Sequence, residues 1–269
     1  MWQAQSYFGV YRGCRILKNS SINKAWVVFG LLGVSAALPV RAAVYQERDE
    51  INRSFTLTSK ARVDVSVISG SLDIEAIDGD TASVQIERTA RSRAELECNE
   101  VILKQAWGNL LIATRNRGCG TIYVVQRVLL KLPRYVDVSV HAVSGSINIG
   151  EIEGALDISG NSGNINLAQS GRRSRISGNM GTITIKLRKL YAGGLELSGN
   201  SGPIKLCIGD ELNAVVKVSG ISGSVSSDLP DVTFHKTAAA DYYALIGSGG
   251  PTIYVLGNSG NILLSQYRE

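Results

Sequence analysis

The chain has 269 residues, 44% of them hydrophobic and 19% charged, which excludes an intrinsically disordered protein and allows one large or two small domains. Five of the 28 Lys and Arg residues lie in residues 1–42, which contain no Asp or Glu, so 23 basic and 23 acidic residues remain. Because the remainder carries no net charge, the sequence pI near 9.0 is no argument for a nucleic-acid partner, and we expect none.

Residues 1–42 have the pattern of a secretory signal peptide. A basic stretch ending at Lys24 precedes an apolar run of 14 residues, Ala25 to Leu38. Small residues then predict cleavage after Ala42, with Ala43 as the alternative site. An uncleaved anchor is the other interpretation, although the run is shorter than the ~20 residues that span a bilayer. We therefore predict an exported protein, periplasmic, surface-bound or secreted, with no membrane span in the mature chain.

Residues 43–138 are predicted to form an N-terminal β region built from antiparallel strands. The segment VSVISGSLDI at 65–74 alternates apolar and polar residues around a Ser-Gly pair, which is typical of half-buried strands joined by a bend. Runs of β-branched and aliphatic residues predict longer strands at 82–90, 100–106, 109–115 and 121–132. We expect this region to adjoin the repeats that follow and to be able to cap them.

The cysteines fit an exported protein. Cys98 and Cys119 flank a predicted hairpin, so a disulfide between them is plausible in an oxidising compartment. Cys207 follows a leucine in a periodic strand and is predicted to be a buried small apolar residue. The sequence has no Cys-x-x-Cys, and His141 and His235 are far apart, so we predict no zinc site and no cofactor.

A nine-residue motif recurs through residues 139–269. The copies read SGNSGNINL at 159–167, SGNMGTITI at 177–185 and SGNSGPIKL at 198–206, with variants at 141–149, 219–227 and 256–264. The central glycines, from Gly145 to Gly223, follow one another at intervals of 18, 18, 21 and 21 residues. A unit of about 20 residues cannot bury its own apolar face, but stacked units can.

The sequence therefore predicts an all-β fold in which a β-solenoid-like stack of short strands, in 18–21-residue repeats, adjoins the N-terminal antiparallel sheet region. Residues 43–269 are expected to form one continuous domain. Residues 228–246 interrupt the repeat and are expected to cover one flank or the far end, and GSGGPTIYV at 247–255 is interpreted as a degenerate copy. Four asparagines recur at one corner and could stack as a ladder: Asn161, Asn179, Asn200 and Asn258.

This layout resembles the bacterial "putative adhesin" family, a family named as a domain of unknown function. The matching elements are residues 51–79, the strand-and-proline segment VLLKLPRYVDVSVHAVSGSINIGEIEG at 128–154, and the SGNSGNINL-type repeats. The resemblance covers most of the mature chain. It implies an exported or envelope-associated protein of stacked short strands, and it supplies no catalytic residues to carry over.

Two groups of residues are candidate catalytic sites. Asp137, Ser139 and His141 alternate onto one face of a predicted strand, but at about 6.6 Å per step they are expected to lie too far apart for direct hydrogen bonds. Glu151, Glu153 and Asp157 form an acidic cluster without an acidic ladder in neighbouring repeats. We therefore predict a protein that is not an enzyme, with a polysaccharide-active solenoid enzyme as the alternative.

The candidate ligand-binding residues are basic. Six cations and no acidic residue lie between Ile158 and Leu195: Arg172, Arg173, Arg175, Lys186, Arg188 and Lys189. Stacking could gather some of them into a basic patch for an envelope polymer, and scattered solvated cations are the alternative. Tyr242, Tyr243 and Tyr254 could form a carbohydrate-stacking platform or pack in the core. The favoured function is an exported binding or adhesin-like scaffold whose partner, a polymer or a protein, is unknown.

Overall fold

The computed structural model of the chain describes residues 47–66, 68–169 and 171–267. The predicted signal peptide and its cleavage site lie outside these residues. The described part forms 21 strands and one short helix, α1 (Arg93–Cys98), so the predicted all-β class is confirmed. In that part of the chain, no helix is both long enough and apolar enough to cross a membrane.

The strands form two large sheets. Sheet A has the spatial order β1 (Glu47–Thr56), β4 (Thr81–Ala90), β7 (Val124–Pro133), β3 (Ser69–Ile77), β9 (Ser144–Ile149), β11 (Ile165–Leu167), β13 (Ile183–Leu187), β15 (Ile204–Ile208), β21 (Ile262–Gln266), β17 (Val225–Ser227). Sheet B has the order β18 (His235–Ala238), β19 (Asp241–Ile246), β16 (Ala214–Ser219), β20 (Thr252–Leu256), β14 (Leu195–Ser198), β12 (Ser174–Ser177), β10 (Leu156–Ser159), β8 (Asp137–His141), β2 (Arg62–Ser66), β6 (Asn109–Asn116), β5 (Asn99–Ala106).

Each repeat is one rung of a stack: a strand in sheet B, a corner, and a strand in sheet A. In the rung made by β10 and β11, Leu156 and Ile158 point inward from sheet B, and Ile165 and Leu167 meet them from sheet A. All four are 0–2% exposed, as the alternating pattern predicted. Neighbouring rungs pair in parallel without a register shift, so that Leu156 lies opposite Val138. Each buried aliphatic side chain contributes roughly 1.5–3 kcal/mol.

The corner between the strands of a rung requires glycine twice, for different reasons. Gly160 has φ +64, a left-handed conformation that costs an ordinary L-residue about 1–2 kcal/mol. Gly163 instead lies against the preceding rung, where an added Cβ would come within 1.9 Å of the carbonyl oxygen of Gly145. The repeated S-G-x-x-G spacing therefore reflects one turn requirement and one packing requirement.

Replacing Ala142 with glycine should stabilise the protein. Ala142 has φ +55 at the corner where Gly160 stands one rung later, and both N–H groups donate to the carbonyl of the following rung. Glycine relieves the left-handed strain but loses more backbone entropy on folding. The net increase in the free energy of unfolding should be about 1 kcal/mol, which raises Tm by roughly 2–4 °C. The control Ala155→Gly, where φ is negative, should lower Tm. An unchanged or lower Tm for Ala142→Gly would contradict the expectation.

The two ends of the stack do not follow chain order. At the C-terminal end, the rung made by β20 and β21 lies between the β14–β15 rung and the β16–β17 rung, although it comes last in the sequence. The segment 247–255 is therefore not a separate copy, because it supplies the sheet B strand of the rung whose corner is LGNSG. The hairpin of β18 and β19 pairs with β16 and covers the far edge of sheet B, as residues 228–246 were expected to do.

The N-terminal region combines antiparallel strands with one further rung. β1, β4 and β7 pair antiparallel, and so do β5 and β6, as predicted. β6 and β7, however, also pair in parallel with β2 and β3 and make the outermost rung. The proposed division after residue 138 falls inside β8, and one buried cluster extends from Leu57 to Leu264.

The four recurring asparagines stack inside the corner edge. All are 0–1% exposed: Asn161, Asn179, Asn200 and Asn258. Asn161 Nδ2 donates to Asn179 Oδ1 at 2.8 Å, and Asn200 Oδ1 accepts from the backbone N–H of Asn179 at 3.0 Å. Val143 and Ile221 occupy the equivalent positions in the rungs on either side, so the ladder is a polar row closed at both ends by aliphatic side chains.

Asp241 closes the stack of corners at its C-terminal end. Corner N–H groups donate to a carbonyl of the next rung, but Gly220 has no further rung and donates to Asp241 Oδ1 at 3.0 Å. The Ser219 hydroxyl donates to the same oxygen at 2.8 Å. These two hydrogen bonds, the Ser219 bond being the larger cause, hold the pKa of Asp241 below its usual value. The carboxylate thus stands in for the missing rung.

Candidate binding site

A row of outward side chains crosses the outer face of sheet B. Strand register aligns it over seven neighbouring strands: Asp157, Arg175, Glu196, Tyr254, Lys217, Tyr243 and His235. We call these residues the outer row. Their inward neighbours, such as Leu195 and Leu197 beside Glu196, are buried in the core. The alternation of each strand therefore places the outer row on the solvent side.

A shallow cavity opens beside the middle of the outer row. It has a volume of about 240 Å³ and is lined by Arg173, Arg175, Gly194, Glu196 and Tyr254, among others. Arg175 forms an ion pair with Glu196, with 3.0 Å between Nη2 and Oε2. Arg173 is exposed and lies within ion-pair distance of no carboxylate in the described part of the chain. The cavity thus offers one unpaired cation beside one neutralised pair.

Aromatic and aliphatic groups flank this cavity. The Tyr254 ring is 40% exposed, and the Lys217 ammonium lies 5.6 Å from its centroid. Leu245 and Leu256 are 43% and 38% exposed on the same face. Tyrosine rings with one open face stack on apolar ligand faces, and the phenol offers a hydrogen bond. The surface combines flat apolar contact with polar groups at its margin.

Only two of the three candidate tyrosines lie on this face. Tyr254 and Tyr243 point outward on either side of Lys217. Tyr242 alternates inward and packs against the core. Both interpretations apply in part, because period-two alternation turns Tyr242 into the core and leaves Tyr243 on the outer face.

The six predicted cations do not share one surface. Arg175 faces outward from sheet B and Lys186 from sheet A, so they lie on opposite faces. The other four lie at the edge where the chain returns from sheet A to sheet B: Arg172, Arg173, Arg188 and Lys189. A single basic patch of all six is therefore not formed, because the two strands of a rung point their outward side chains in opposite directions.

Most of these cations have partners from outside the acid-free interval. Arg172 pairs with Asp137 at 3.0 Å, and Arg188 pairs with Glu151. The Lys186 ammonium lies 4.6 Å from the ring centroid of Tyr267, and the Lys189 ammonium lies 4.6 Å from that of Tyr191, which is within the interval. Stacked rungs bring acidic residues 21–37 positions away into contact, which the linear charge run does not reveal.

The predicted separation of Ser139 and His141 was wrong. Ser139 Oγ lies 2.6 Å from His141 Nε2, and His141 Nδ1 lies 2.5 Å from Ser159 Oγ on the next strand. Asp137 does not orient the imidazole, because it accepts from the Ala155 N–H and from Arg172. Ser139 is 1% exposed, so its hydroxyl is shielded from any substrate. The arrangement lacks both the orienting carboxylate and the accessible nucleophile of a Ser-His-Asp site.

Neither the cysteines nor a metal site of the described residues contributes to the outer row. Among the described residues, no group of three or more His, Cys, Asp and Glu side chains is placed to hold a metal ion. The acidic cluster of Glu151, Glu153 and Asp157 does not form such a group either. Cys98 and Cys119 form a disulfide in the N-terminal region. Cys207 is fully buried in β15.

The sequence match decides the family. The family model described as Toastrack DUF4097 matches residues 24–265. The chain belongs to this family. The resemblance based on residues 51–79, residues 128–154 and the repeats is thereby confirmed, together with the solenoid-like fold class.

Among solved structures, a putative cell adhesion protein from Clostridium sporogenes ATCC 15579 is 12% identical, with a TM-score of 0.49 and coverage of 82% of this chain and 100% of that one. A putative adhesin from Bacteroides fragilis NCTC 9343 is 13% identical, with a TM-score of 0.40 and coverage of 80% and 97%. A putative lipid binding protein from Parabacteroides distasonis ATCC 8503 is 11% identical, with a TM-score of 0.25 and coverage of 80% and 96%. No curated protein matches the sequence significantly.

Proposed function

We propose that the protein is a non-enzymatic, exported binding protein of the bacterial envelope that holds an extended polysaccharide on the outer face of sheet B. The observation that carries the proposal is the outer row, in which two tyrosines alternate with charged side chains beside an open cavity. Strands lie about 4.8 Å apart, so seven strands offer contacts over roughly 29 Å.

The chemistry of the cavity favours a sugar polymer with acidic groups. The Tyr254 ring is 40% exposed and suits the apolar face of a sugar ring, and the Lys217 ammonium lies over the ring, 5.6 Å from its centroid. Arg173, without an ion-pair partner in the described part of the chain, offers a planar fork of donors for a carboxylate or sulfate. Contacts spread in this way give many weak interactions along a chain.

The same cavity argues against glycoside cleavage. Glycosidases place two carboxyl groups about 5–9.5 Å apart around the scissile bond. Among the described residues that line the cavity, Glu196 supplies the single carboxylate, and Arg175 neutralises it. This supports a binding protein over the polysaccharide-active alternative.

Replacing Tyr254 with alanine should weaken polysaccharide binding about tenfold. Loss of one stacked ring removes roughly 1.4 kcal/mol of contact, which is a tenfold change in the dissociation constant. The measurement is affinity electrophoresis of the native protein in gels containing alginate, which is anionic, or dextran, which is neutral. Arg173→Glu should weaken alginate binding at low salt and have little effect at high salt, because exposed charges are screened.

Trp107→Ala is the matched control, because its ring is fully exposed at the turn between β5 and β6, outside the outer row. Equal retardation of the native protein and Tyr254→Ala would contradict the proposal. Release of new reducing ends from alginate, lost in Glu196→Gln with binding retained, would replace it with the enzyme alternative.

A further inference from the structure

Trp107 stands at the tip of the hairpin formed by β5 and β6, outside the hydrophobic core. The residue is 100% exposed, whereas Met180, the next most exposed large apolar residue of the described chain, is 67% exposed. Tryptophan is among the side chains with the largest apolar contact area. The fold therefore leaves this ring available for contact with a partner.

The conformation of the turn gives no reason for a tryptophan at this position. Trp107 and Gly108 join the two strands with φ angles of +55 and +80, and two positive φ angles are typical of a type I′ turn. Asn-Gly and Asp-Gly are the preferred sequences of this turn, and a bulky side chain with positive φ is strained. Strain retained at an exposed position indicates a role for the side chain beyond folding.

Hydrogen bonds on both sides of the turn hold the tip in place. The Gln105 side-chain amide donates to the Thr56 carbonyl at 2.7 Å, and the Arg62 N–H donates to Asn109 Oδ1 at 3.0 Å. Thr56 ends β1 and Arg62 begins β2, so the hairpin is joined to two neighbouring strands. A tip that is fixed before contact loses little conformational entropy when it binds.

Two lysines without an ion-pair partner lie beside the tip. Lys104 precedes Trp107 by three residues on β5, and Lys60 lies in the loop between β1 and β2. This loop contacts the turn, because a Cβ on Gly108 would lie 3.4 Å from Thr58 Oγ1. Both lysines are exposed, and neither lies within ion-pair distance of a carboxylate in the described part of the chain. The tip thus combines an apolar ring with two uncompensated positive charges.

Most of the other charges near the turn are matched. Arg62 pairs with Asp64 at 2.7 Å, and Arg134 pairs with Asp78 at 2.8 Å. Asp80 belongs to the turn between β3 and β4 of sheet A, whereas the hairpin is part of sheet B. A partner that fits the tip therefore accepts an apolar ring and presents negative charge beside it.

We propose that the turn between β5 and β6 is a membrane-contact site. Trp107 enters the headgroup region of a bilayer that contains anionic phospholipid, and Lys60 and Lys104 bind the phosphates. Tryptophan favours the boundary between water and acyl chains, and lysines near an anionic surface add attraction. An apolar pocket of another protein would leave both ammonium groups without partners. The contact is shallow and reversible, because one ring and two charges bind far less strongly than a membrane span.

This site is independent of the polysaccharide site. The turn lies at the edge where the chain returns from sheet A to sheet B, whereas the outer row crosses the outer face of sheet B. The strands run from this edge to the corner edge, so contact with a membrane leaves the outer face open to a polymer.

The test follows the fluorescence of Trp107 in the full chain with Trp2→Phe and Trp26→Phe, which leaves one of the three tryptophans. Vesicles of phosphatidylcholine and phosphatidylglycerol are added with or without bromine on the acyl chains, because bromine quenches tryptophan only on contact. Residues 25–38 are apolar and can bind vesicles themselves, so the readout is quenching and not retention of the chain. We expect emission at shorter wavelength and quenching that weakens at high salt.

Two sets of variants test the contact. Lys60→Glu combined with Lys104→Glu should raise the lipid concentration for half-maximal quenching at least about tenfold at low salt. The matched control, Trp107→Asn with Met180→Trp, moves the ring to the tight corner between β12 and β13 on the opposite edge, where it should stay unquenched. Trp107→Asn should also raise Tm, because asparagine suits the turn. Equal quenching at both positions, or no quenching of Trp107 by the brominated vesicles, would overturn the proposal.

Discussion

Removing residues 252–269 should unfold residues 214–246 as well, although these precede the deleted segment in the sequence. β20 and β21 pair with neighbours on both sides, and among the described strands they alone pair the rung of β16 and β17 with the rest of the stack. The deleted rung contains four side chains with 0% exposure: Ile253, Val255, Ile262 and Leu264. Burial of each of these side chains contributes roughly 1.5–3 kcal/mol. The loss of all four is therefore comparable to the free energy of unfolding of a whole domain, which is about 5–15 kcal/mol.

Hydrogen exchange and limited proteolysis would locate the damage. Residues 214–246 should lose protection completely, while the rungs before β14 should keep most of theirs. A gentler pair tests the same point in β21: Ile262→Ala should cost about 2–5 kcal/mol, and Leu263→Ala, whose side chain points outward, should cost much less. Full protection of residues 214–227 in the truncated protein would show that the rungs stack in chain order.

The second large effect concerns the asparagine ladder. Asn179→Asp should destabilise the protein by about 3–5 kcal/mol at pH 7, because an uncompensated carboxylate is then buried at 0% exposure. The native amide donates to the Gly181 carbonyl at 2.6 Å, and a carboxylate cannot. The substituted carboxyl would have a higher pKa in the folded than in the unfolded protein. Stability should therefore be lost as the pH rises from the unfolded pKa through the folded pKa, and it should be fully recovered below the unfolded pKa.

Urea denaturation at pH 7 and near pH 3 would measure this difference. Asn164→Asp is the matched control, because Asn164 is exposed and its side-chain oxygen only accepts, from the Thr182 N–H at 3.0 Å. A carboxylate can accept that hydrogen bond equally well, so the control should change stability by less than about 0.5 kcal/mol. A loss for Asn179→Asp that does not depend on pH would point to packing instead of buried charge.

The candidate site lies where the repeat is interrupted. The outer row crosses β20, the strand inserted between β14 and β16. Regular rungs present repeated small polar groups, such as the serines of β10, β12 and β14 that lie opposite one another. The inserted rung brings to this face side chains that the repeat does not supply, including Tyr254.

The sequence by itself determined the fold class and the inside of the stack. Alternation with a period of two separates Leu156 and Ile158 from Asp157, and glycines at 18–21-residue intervals define the corners, because both are local properties of the chain. The asparagine ladder followed from the same interval, since equal rung lengths place equivalent residues in register.

Only the tertiary structure decided the order of the end rungs and the composition of the surfaces. A strand that adds to the end of the stack and one that inserts before the last rung have the same local sequence pattern. The place of β20 and β21 between the neighbouring rungs is therefore visible only in the strand pairing of the folded protein. For the same reason, Arg175 meets Glu196 and Arg172 meets Asp137 across rungs, and a linear charge run divides between two sheets that face opposite ways. Side-chain reach brought Ser139 to His141, a contact that strand spacing alone does not predict.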